Sequence, residues 1–386
     1  MRILDIRSQT IPISRYSDPQ ISSDGLDTTV VAIITDVYRN GTPVTGFGFS
    51  SIGRFGQRGL IHERFAPRLI AAGEQVIATD SRDNLDPFRA WGCMMKAEKP
   101  GGHGERCVAV GTLDMALWDA AAKVAEKPLY QFLAESIGNS ASRKATPVYA
   151  GGGYYYPSDD IPRLTDEIRR FLDLGYTQVK IKIAGKSLAE DLKRIEAVLS
   201  LLPSSENLAV DAMNRYNSTT AISAAKALAQ YRLRWFEDMC DPLDFETHQN
   251  IALEFATPLG AGEALFSLAD AKNLLRYGGL RRDRDVLLFD PAHCYGLPEY
   301  LKIVETLESN GWSRKSFIPH GGHLFSLHVA TALGLGGSES NPHNFQPFGG
   351  FADESIVENG TVHLPEAPGI GFEKRSSLYN VFRSLL

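Results

Sequence analysis

The sequence predicts an α/β protein: a (β/α)8 barrel of the modified TIM type, preceded by an N-terminal α+β capping domain. Three observations carry that expectation. The chain of 386 residues is long enough for one barrel of about 200 to 250 residues and a smaller companion domain. From about Thr146, short apolar runs alternate with amphipathic helical patterns, which calls for parallel strands joined by crossover helices. Before about Gly138 the order differs, with strands first and helices after, as in an α+β domain. The expected division is a capping domain over 1–138, a barrel over 139–345, and a segment over 346–386 that returns to the cap.

Taken in order, apolar alternation runs through Ile3 to Ile13 and Thr28 to Tyr38, and Asn40-Gly41 marks a tight hairpin into Val44 to Phe49. Three antiparallel strands follow from this. Of the helical segments after them the clearest is Val108 to Val124, with Leu113, Leu117 and Trp118 on one stripe. The glycine-rich stretch Gly46 to Gly59 lacks the spacing of a dinucleotide-binding loop and reads as a loop over the barrel mouth. Barrel strands are expected near 147–151, 178–183, 208–212, 233–237, 258–262, 286–290, 316–319 and 333–337.

Composition narrows the function classes. A net charge of −6 without a block of lysines or arginines gives no footprint for nucleic acid or an anionic membrane. No apolar run approaches the roughly 20 residues that span a bilayer, and Arg2, Asp5 and Arg7 are unlike a secretory signal. Cys93, Cys107, Cys240 and Cys294 show no paired spacing, as expected of reduced thiols in a cytoplasm. A small-molecule partner is the remaining expectation.

A polar residue recurs near the C-terminal end of six successive expected strands: Lys182, Asp211, Glu237, Glu263, Asp290 and His320, spaced 26 to 30 residues apart. The spacing is close to the roughly 31 residues of one barrel unit, so all six should ring the mouth where barrel active sites sit. Three converging carboxylates repel one another unless a cation sits among them, and oxygen ligands select a hard ion, magnesium before zinc. Taken singly, each acid is as well explained as a helix cap. Lys180 and Lys182 flank Ile181, so both ammonium groups point to one face; if that is the lumen, each should depress the other's pKa and leave one able to take a proton. Asp290, one unit before His320, can hold one ring nitrogen and leave the other facing the lumen. His323, His328 and His343 raise a zinc site as a weaker alternative. A metal held by acids, with a lysine and a histidine flanking it, suits removal of the α-proton of a carboxylic acid. Both groups acting on one carbon would racemise; one acting on each of two carbons would expel a β-hydroxyl.

At these residues the chain resembles the enolase superfamily, in its mandelate racemase subgroup, over nearly its whole length. The helix motif GTLDMALWDAAAK with KPLYQFL, the K-x-K strand, the Asp/Glu/Glu ladder and the Asp–His dyad carry the likeness. It implies that Lys182 is the base with Lys180 assisting, that Asp211, Glu237 and Glu263 ligate Mg2+, and that Asp290 orients His320. It further implies that Glu339 hydrogen-bonds a substrate carboxylate and that the protein forms an even-numbered homo-oligomer. Within the subgroup, FIPHGGHLFSLHVA and NPHNFQPFGGF look like the dehydratases of D-tartrate, implying a hydroxy diacid substrate, with a longer diacid sugar such as galactarate or glucarate as the alternative. Where many relatives have Asp-x-Asn, this chain has Asp211-Ala212-Met213-Asn214, so Asn214 is the candidate to replace the missing contact.

Specificity is expected from the cap, whose loops would close over the mouth. A diacid needs a second cation for its distal carboxylate, and Arg54, Lys96 and Lys99 are the candidates, each also explicable as a solvated loop charge. Tyr154, Tyr155 and Tyr156, after the first barrel strand, are candidates for hydroxyl contacts or lid packing.

Overall fold

The structure, a computed structural model, describes residues 1–140 and 145–386. Its first unit is an antiparallel sheet of β1 (Ile3–Pro12), β2 (Asp27–Arg39) and β3 (Thr42–Phe49). The hairpin between β2 and β3 turns on Asn40 and Gly41, at φ 50° and 79°, the pair of positive φ values that a two-residue hairpin needs.

Against this sheet lies the helix Glu105–Val124, buried over almost all its length. It is covered on more than the single stripe the sequence suggested because it sits between the capping sheet and the barrel. Gly46 and Gly48 belong to β3 rather than to a mouth loop, and their lack of a side chain is what admits the helix. A Cβ on Gly46 would stand 2.0 Å from the Ala116 carbonyl oxygen, and one on Gly48 2.5 Å from that of Thr112. On the helix's other side, a Cβ on Gly111 would meet the Ala292 carbonyl oxygen of the barrel at 1.8 Å.

The barrel opens with β4 (Thr146–Gly152), β5 (Val179–Lys182), β6 (Leu208–Asp211), β7 (Phe236–Glu237), β8 (Leu259–Ala261) and β9 (Val286–Leu287), each parallel to the next. The seventh position is an extended segment that touches β9 through one bridge, Leu287 to Phe317. β10 (Ser338–Ser340) then pairs in parallel with β4 and closes the ring.

The eighth strand departs from expectation. Leu333 ends a helix, Leu324–Leu333, which stops at Gly334 in the left-handed conformation. The apolar, glycine-bearing run at 333–337 reads as a strand by pattern, yet its first glycine serves as a helix C-cap, and the strand begins only at Ser338. No barrel helix follows β10. β11 (Val357–Glu358) and β12 (Thr361–Val362) instead form a hairpin on the edge of β4, and the last helix is Ser376–Arg383. Phe382 of that helix stacks on Phe47 of the capping sheet, ring centroids 4.8 Å apart.

Below the mouth, Tyr149, Ala209, Trp235, Leu288 and Ile318 fill the barrel as a separate apolar cluster. This floor fixes the height at which polar side chains begin. Among the described residues, no helix is long and apolar enough to cross a membrane.

Candidate active site at the barrel mouth

Strand register brings the polar residues together. Lys182 is the direct partner of Asp211 across β5 and β6, and Asp211 of Glu237 across β6 and β7. Side chains in register on neighbouring parallel strands point to the same face, here the lumen. Glu263, Asp290 and His320 lie just past their strand ends, in the loops that rim the same mouth. Around them is a cavity of about 470 Å³, lined among others by Lys182, Asn214, Glu263, His320, Glu339 and Arg54.

Asp211, Glu237 and Glu263 each offer an oxygen within 4.8 Å of the others'. Asp211 and Glu237 are wholly buried. Burial, with the Asp211 and Glu263 charges, pushes Glu237 up to about 8 against the pull of Lys180. Burial also opposes the charged form of Asp211, but Lys182 and Lys180 outweigh it and hold that carboxyl down to about 2. Glu263 Oε2 is buried and accepts no hydrogen bond, although His320 Nε2 lies 3.2 Å from it. A carboxylate oxygen without a hydrogen bond beside two crowded carboxylates fits a hard divalent cation, which oxygen donors favour.

Both lysines face this group, yet neither has the depressed pKa that their spacing suggested. Lys182 Nζ is hydrogen-bonded to Asp211 Oδ2, and Lys180 Nζ lies 2.5 Å from Glu237 Oε1 and 3.0 Å from Glu339 Oε1. Burial lowers each, but these carboxylates raise both above the ordinary lysine value. The mutual repulsion of two ammonium groups loses to three opposite charges at hydrogen-bonding distance. Lys180 and the other cations likewise overcome burial to hold Glu339 low, so it stands ionised, accepting the Gly321 N–H at 3.1 Å.

At the other end of the carboxylate group, His320 Nδ1 is 2.9 Å from Asp290 Oδ2 and Nε2 is 3.2 Å from Glu263 Oε2. Burial opposes its imidazolium, yet Glu263, Asp290 and Glu339 push it up to about 9. Asp290 is also engaged by the cap: Ser51 Oγ donates to its Oδ2 at 2.8 Å.

The histidines weighed for zinc are occupied elsewhere. His328 is hydrogen-bonded to the Tyr130 N–H and lies 2.9 Å from the Ile370 carbonyl oxygen, His343 stacks on Phe171, and His323 contacts Ser51 and Ser326. A group capable of holding a metal does include two histidines, but they are His293 and His320 with Asp290.

Of the expected substrate-contacting residues, Arg54 and Asn214 line the cavity; Lys96 and Lys99 do not. Both lysines are exposed, and the segment bearing them is tied down within the cap. Glu98 pairs with Arg64, Arg68 and Arg106, and Arg106 also donates to the Lys99 and Gly101 carbonyls. Asn214 Nδ2 donates to Asp238 Oδ2 at 3.1 Å, leaving its own Oδ1 buried and unpartnered. Tyr155 and Tyr156 turn their hydroxyls to Asp191 and Glu167; Tyr154 and Tyr155 both line the cavity, with Lys182 Nζ 5.3 Å from the Tyr154 ring centre.

Sequence reasoning missed Ser51, Asp238, His293 and the cavity-lining Arg15. Asp238 and His293 were findable, since each lies within three residues of a strand-end acid. Ser51 and Arg15 carried no signal, because only the docking of the cap brings them to the barrel.

Comparison with known proteins agrees with this arrangement. Residues 163–377, more than half of the chain, match the family described as enolase C-terminal domain-like. The chain is 27% identical over 300 residues to the arabinonate dehydratase of Saccharolobus solfataricus, covering 76% of this chain and 77% of that one. It is 27% identical over 349 residues to the L-talarate/galactarate dehydratase of Salmonella typhimurium, covering 89% and 81%. The crystal structure of L-talarate dehydratase from Polaromonas sp. JS666, complexed with Mg and L-glucarate, superposes with a TM-score of 0.71 at 26% identity, covering 95% of this chain and 94% of that one. With that family match over a barrel whose strand ends gather two lysines, three acids and an Asp–His pair, the chain belongs to the enolase superfamily.

Proposed function

We propose that this protein is a magnesium-dependent dehydratase of a hydroxy diacid, with D-tartrate to oxaloacetate and water as the reaction its barrel-end motifs suggest. The observation that carries this reading is the placement of Lys182 and His320 at opposite ends of one carboxylate group within a single cavity. The named relatives that dehydrate sugar acids, and the neighbour complexed with Mg and L-glucarate, support it.

Asp211, Glu237 and Glu263 would hold the ion, whose charge, when bound, acidifies the substrate's α-carbon. Lys182 takes the α-proton on Nζ, for which it must stand neutral; Asp211, its counter-ion here, is the group whose charge has to be shared elsewhere. Lys180, braced by Glu339, offers positive charge to the substrate carboxylate. Glu339, paired with Lys180 and lining the same cavity, is the group that hydrogen-bonds the substrate carboxylate, the two sharing one proton. His320, with Nδ1 on Asp290, gives a proton from Nε2 to the departing β-hydroxyl, which leaves as water. The enol that remains ketonises to the 2-keto acid, so the proton taken by Lys182 and the one given by His320 balance. Arg54 is the cavity cation available to the distal carboxylate.

Incubation with magnesium and single-isomer diacids in deuterium oxide tests the reading. Keto acid is the expected product. His320→Asn should exchange the α-hydrogen for deuterium without forming keto acid, and Lys182→Ala should do neither, each losing at least about 10²-fold in dehydration. Deuterated, configurationally scrambled starting material without keto acid would replace the dehydratase reading with a racemase or epimerase.

A further inference from the structure

Ser51 follows β3 by one residue and belongs to the cap, yet it is wholly buried against the barrel. Its φ is 53°, a conformation that residues other than glycine seldom take. Two bonds hold it there: its N–H donates to the Phe49 carbonyl at 2.8 Å, and its own carbonyl accepts from Thr28 Oγ1 at 3.3 Å. Backbone strain held by its surroundings is commonly found where a side chain has to be aimed.

Ser51 Oγ lies 2.8 Å from Asp290 Oδ2 and 3.0 Å from His323 Nε2, and the neighbours fix the direction of each hydrogen. His323 caps the helix Leu324–Leu333 by accepting the Ser326 N–H on Nδ1 at 3.3 Å, so that nitrogen carries a lone pair. Burial keeps the ring neutral, pushing it down to about 4. Its one proton is therefore on Nε2 and points at Ser51 Oγ. The serine hydroxyl, accepting there, has its own hydrogen left for Asp290. Asp290 Oδ1 takes the Ala292 N–H at 2.7 Å, and Oδ2 is shared by Ser51 and by His320 Nδ1 at 2.9 Å. His293 Nδ1, 3.6 Å from Oδ2, is too far to bond. Ala292 lies in Asp290's own loop and His320 is the group being held. Ser51 thus ties the oxygen that carries His320 to the other domain.

We propose that Ser51 is a positioning residue of the cap that, through Asp290, holds His320 in line for the acid step, while α-proton removal by Lys182 is independent of it. This rests on the dehydratase reading and deepens it. Ser51 does not line the cavity, so it acts on the reaction only through Asp290. Lys182 is bonded to Asp211 within the barrel, whereas the acid half of the site is completed only when the cap is seated.

The test is turnover of D-tartrate and of galactarate by magnesium-loaded protein in deuterium oxide, reading keto acid against deuterium washed into unreacted substrate. Ser51→Ala removes the hydroxyl and leaves a side chain equally restricted at this φ. It should lower kcat for keto acid at least about tenfold with KM within about twofold. Deuterium incorporated per keto acid formed should rise by at least about tenfold, because the deprotonated substrate returns more often than it loses its hydroxyl. Ser50→Ala, in the same loop but with its hydroxyl on Thr112, should leave that ratio where it is. A purely structural role for Ser51 would depress exchange and dehydration together. An unmoved ratio in Ser51→Ala, or the same rise in Ser50→Ala, would overturn the proposal alone. No keto acid from either diacid with the unsubstituted protein would bring down the dehydratase reading and this proposal with it.

Discussion

Two sets of carboxylates withdrawn from water, all buried but the half-buried Glu263, lie on either side of the interface between cap and barrel and are oppositely furnished. On the capping helix, Asp119 takes the Phe47 N–H at 2.8 Å, the Ile370 N–H at 2.7 Å and Lys123 Nζ at 2.6 Å. Asp114, one turn earlier, takes the N–H of Leu297 at the start of a barrel helix, 2.7 Å away. Asp114 ties the capping helix to the barrel, and Asp119 ties it to the capping sheet and the C-terminal segment, sharing Lys123 with Glu373. At the mouth, Asp211, Glu237 and Glu263 face one another within 4.8 Å, and their protein cations are the two lysines of β5 and His320. Burial alone therefore does not mark a functional acid. The mark is crowding of like charge with oxygens left over, an arrangement that folding gains nothing from unless a cation joins it.

The comparison can be broken at either end. The largest effect is expected from Glu237→Gln, which should cost several kcal/mol of transition-state stabilisation, about 10³-fold in kcat/KM or more. Magnesium should raise the Tm of the unsubstituted protein by mass action and leave that of the variant unmoved. A variant that keeps its magnesium-dependent Tm would show that Glu237 is not a ligand. Asp119→Ala should do the reverse. It strands Lys123 with only Glu373 for a counter-charge and should lower stability by about 3 kcal/mol in denaturant titrations, with magnesium affinity retained in the folded fraction.

Gly111→Ala sharpens the contrast without touching any charge. Its new Cβ would press on the Ala292 carbonyl, and loss of about 2 kcal/mol of stability is expected from forcing helix and barrel apart. The smallest effect concerns pH. Burial holds His328 at about 3 and His248 at about 4, below the ordinary value near 6.5 that the unfolded chain would show. Between those limits the unfolded state takes up protons that the folded state refuses. The stability these two histidines contribute is thus full above about pH 6.5 and falls as the solution is acidified. His328→Gln should flatten part of that slope in Tm measured from pH 7 to 4; an unchanged slope would mean His328 is not among its sources.

Much of the mouth could be read directly from sequence. Lys182, Asp211 and Glu237 recur at the interval of a barrel unit, and parallel pairing makes that interval a register, so periodicity in the chain becomes adjacency in space. The hairpin at Asn40-Gly41 was equally open to reading, since it depends on φ values that few residues adopt. Local chemistry determined these features, and local chemistry is what a sequence displays.

The tertiary structure alone decided what depends on how separate pieces meet. Gly46 and Gly48 read as loop glycines until a helix from sixty residues later is laid against them. The two lysines read as a depressed pair until carboxylates from β6, β7 and β10 surround them. Lys96 and Lys99 look as eligible as Arg54 for a distal anion until docking leaves Arg54 alone of the three at the cavity. Electrostatics and close packing vary with distances of a few ångströms, and those distances arise only when the cap, the barrel and the returning C-terminal segment have closed on one another.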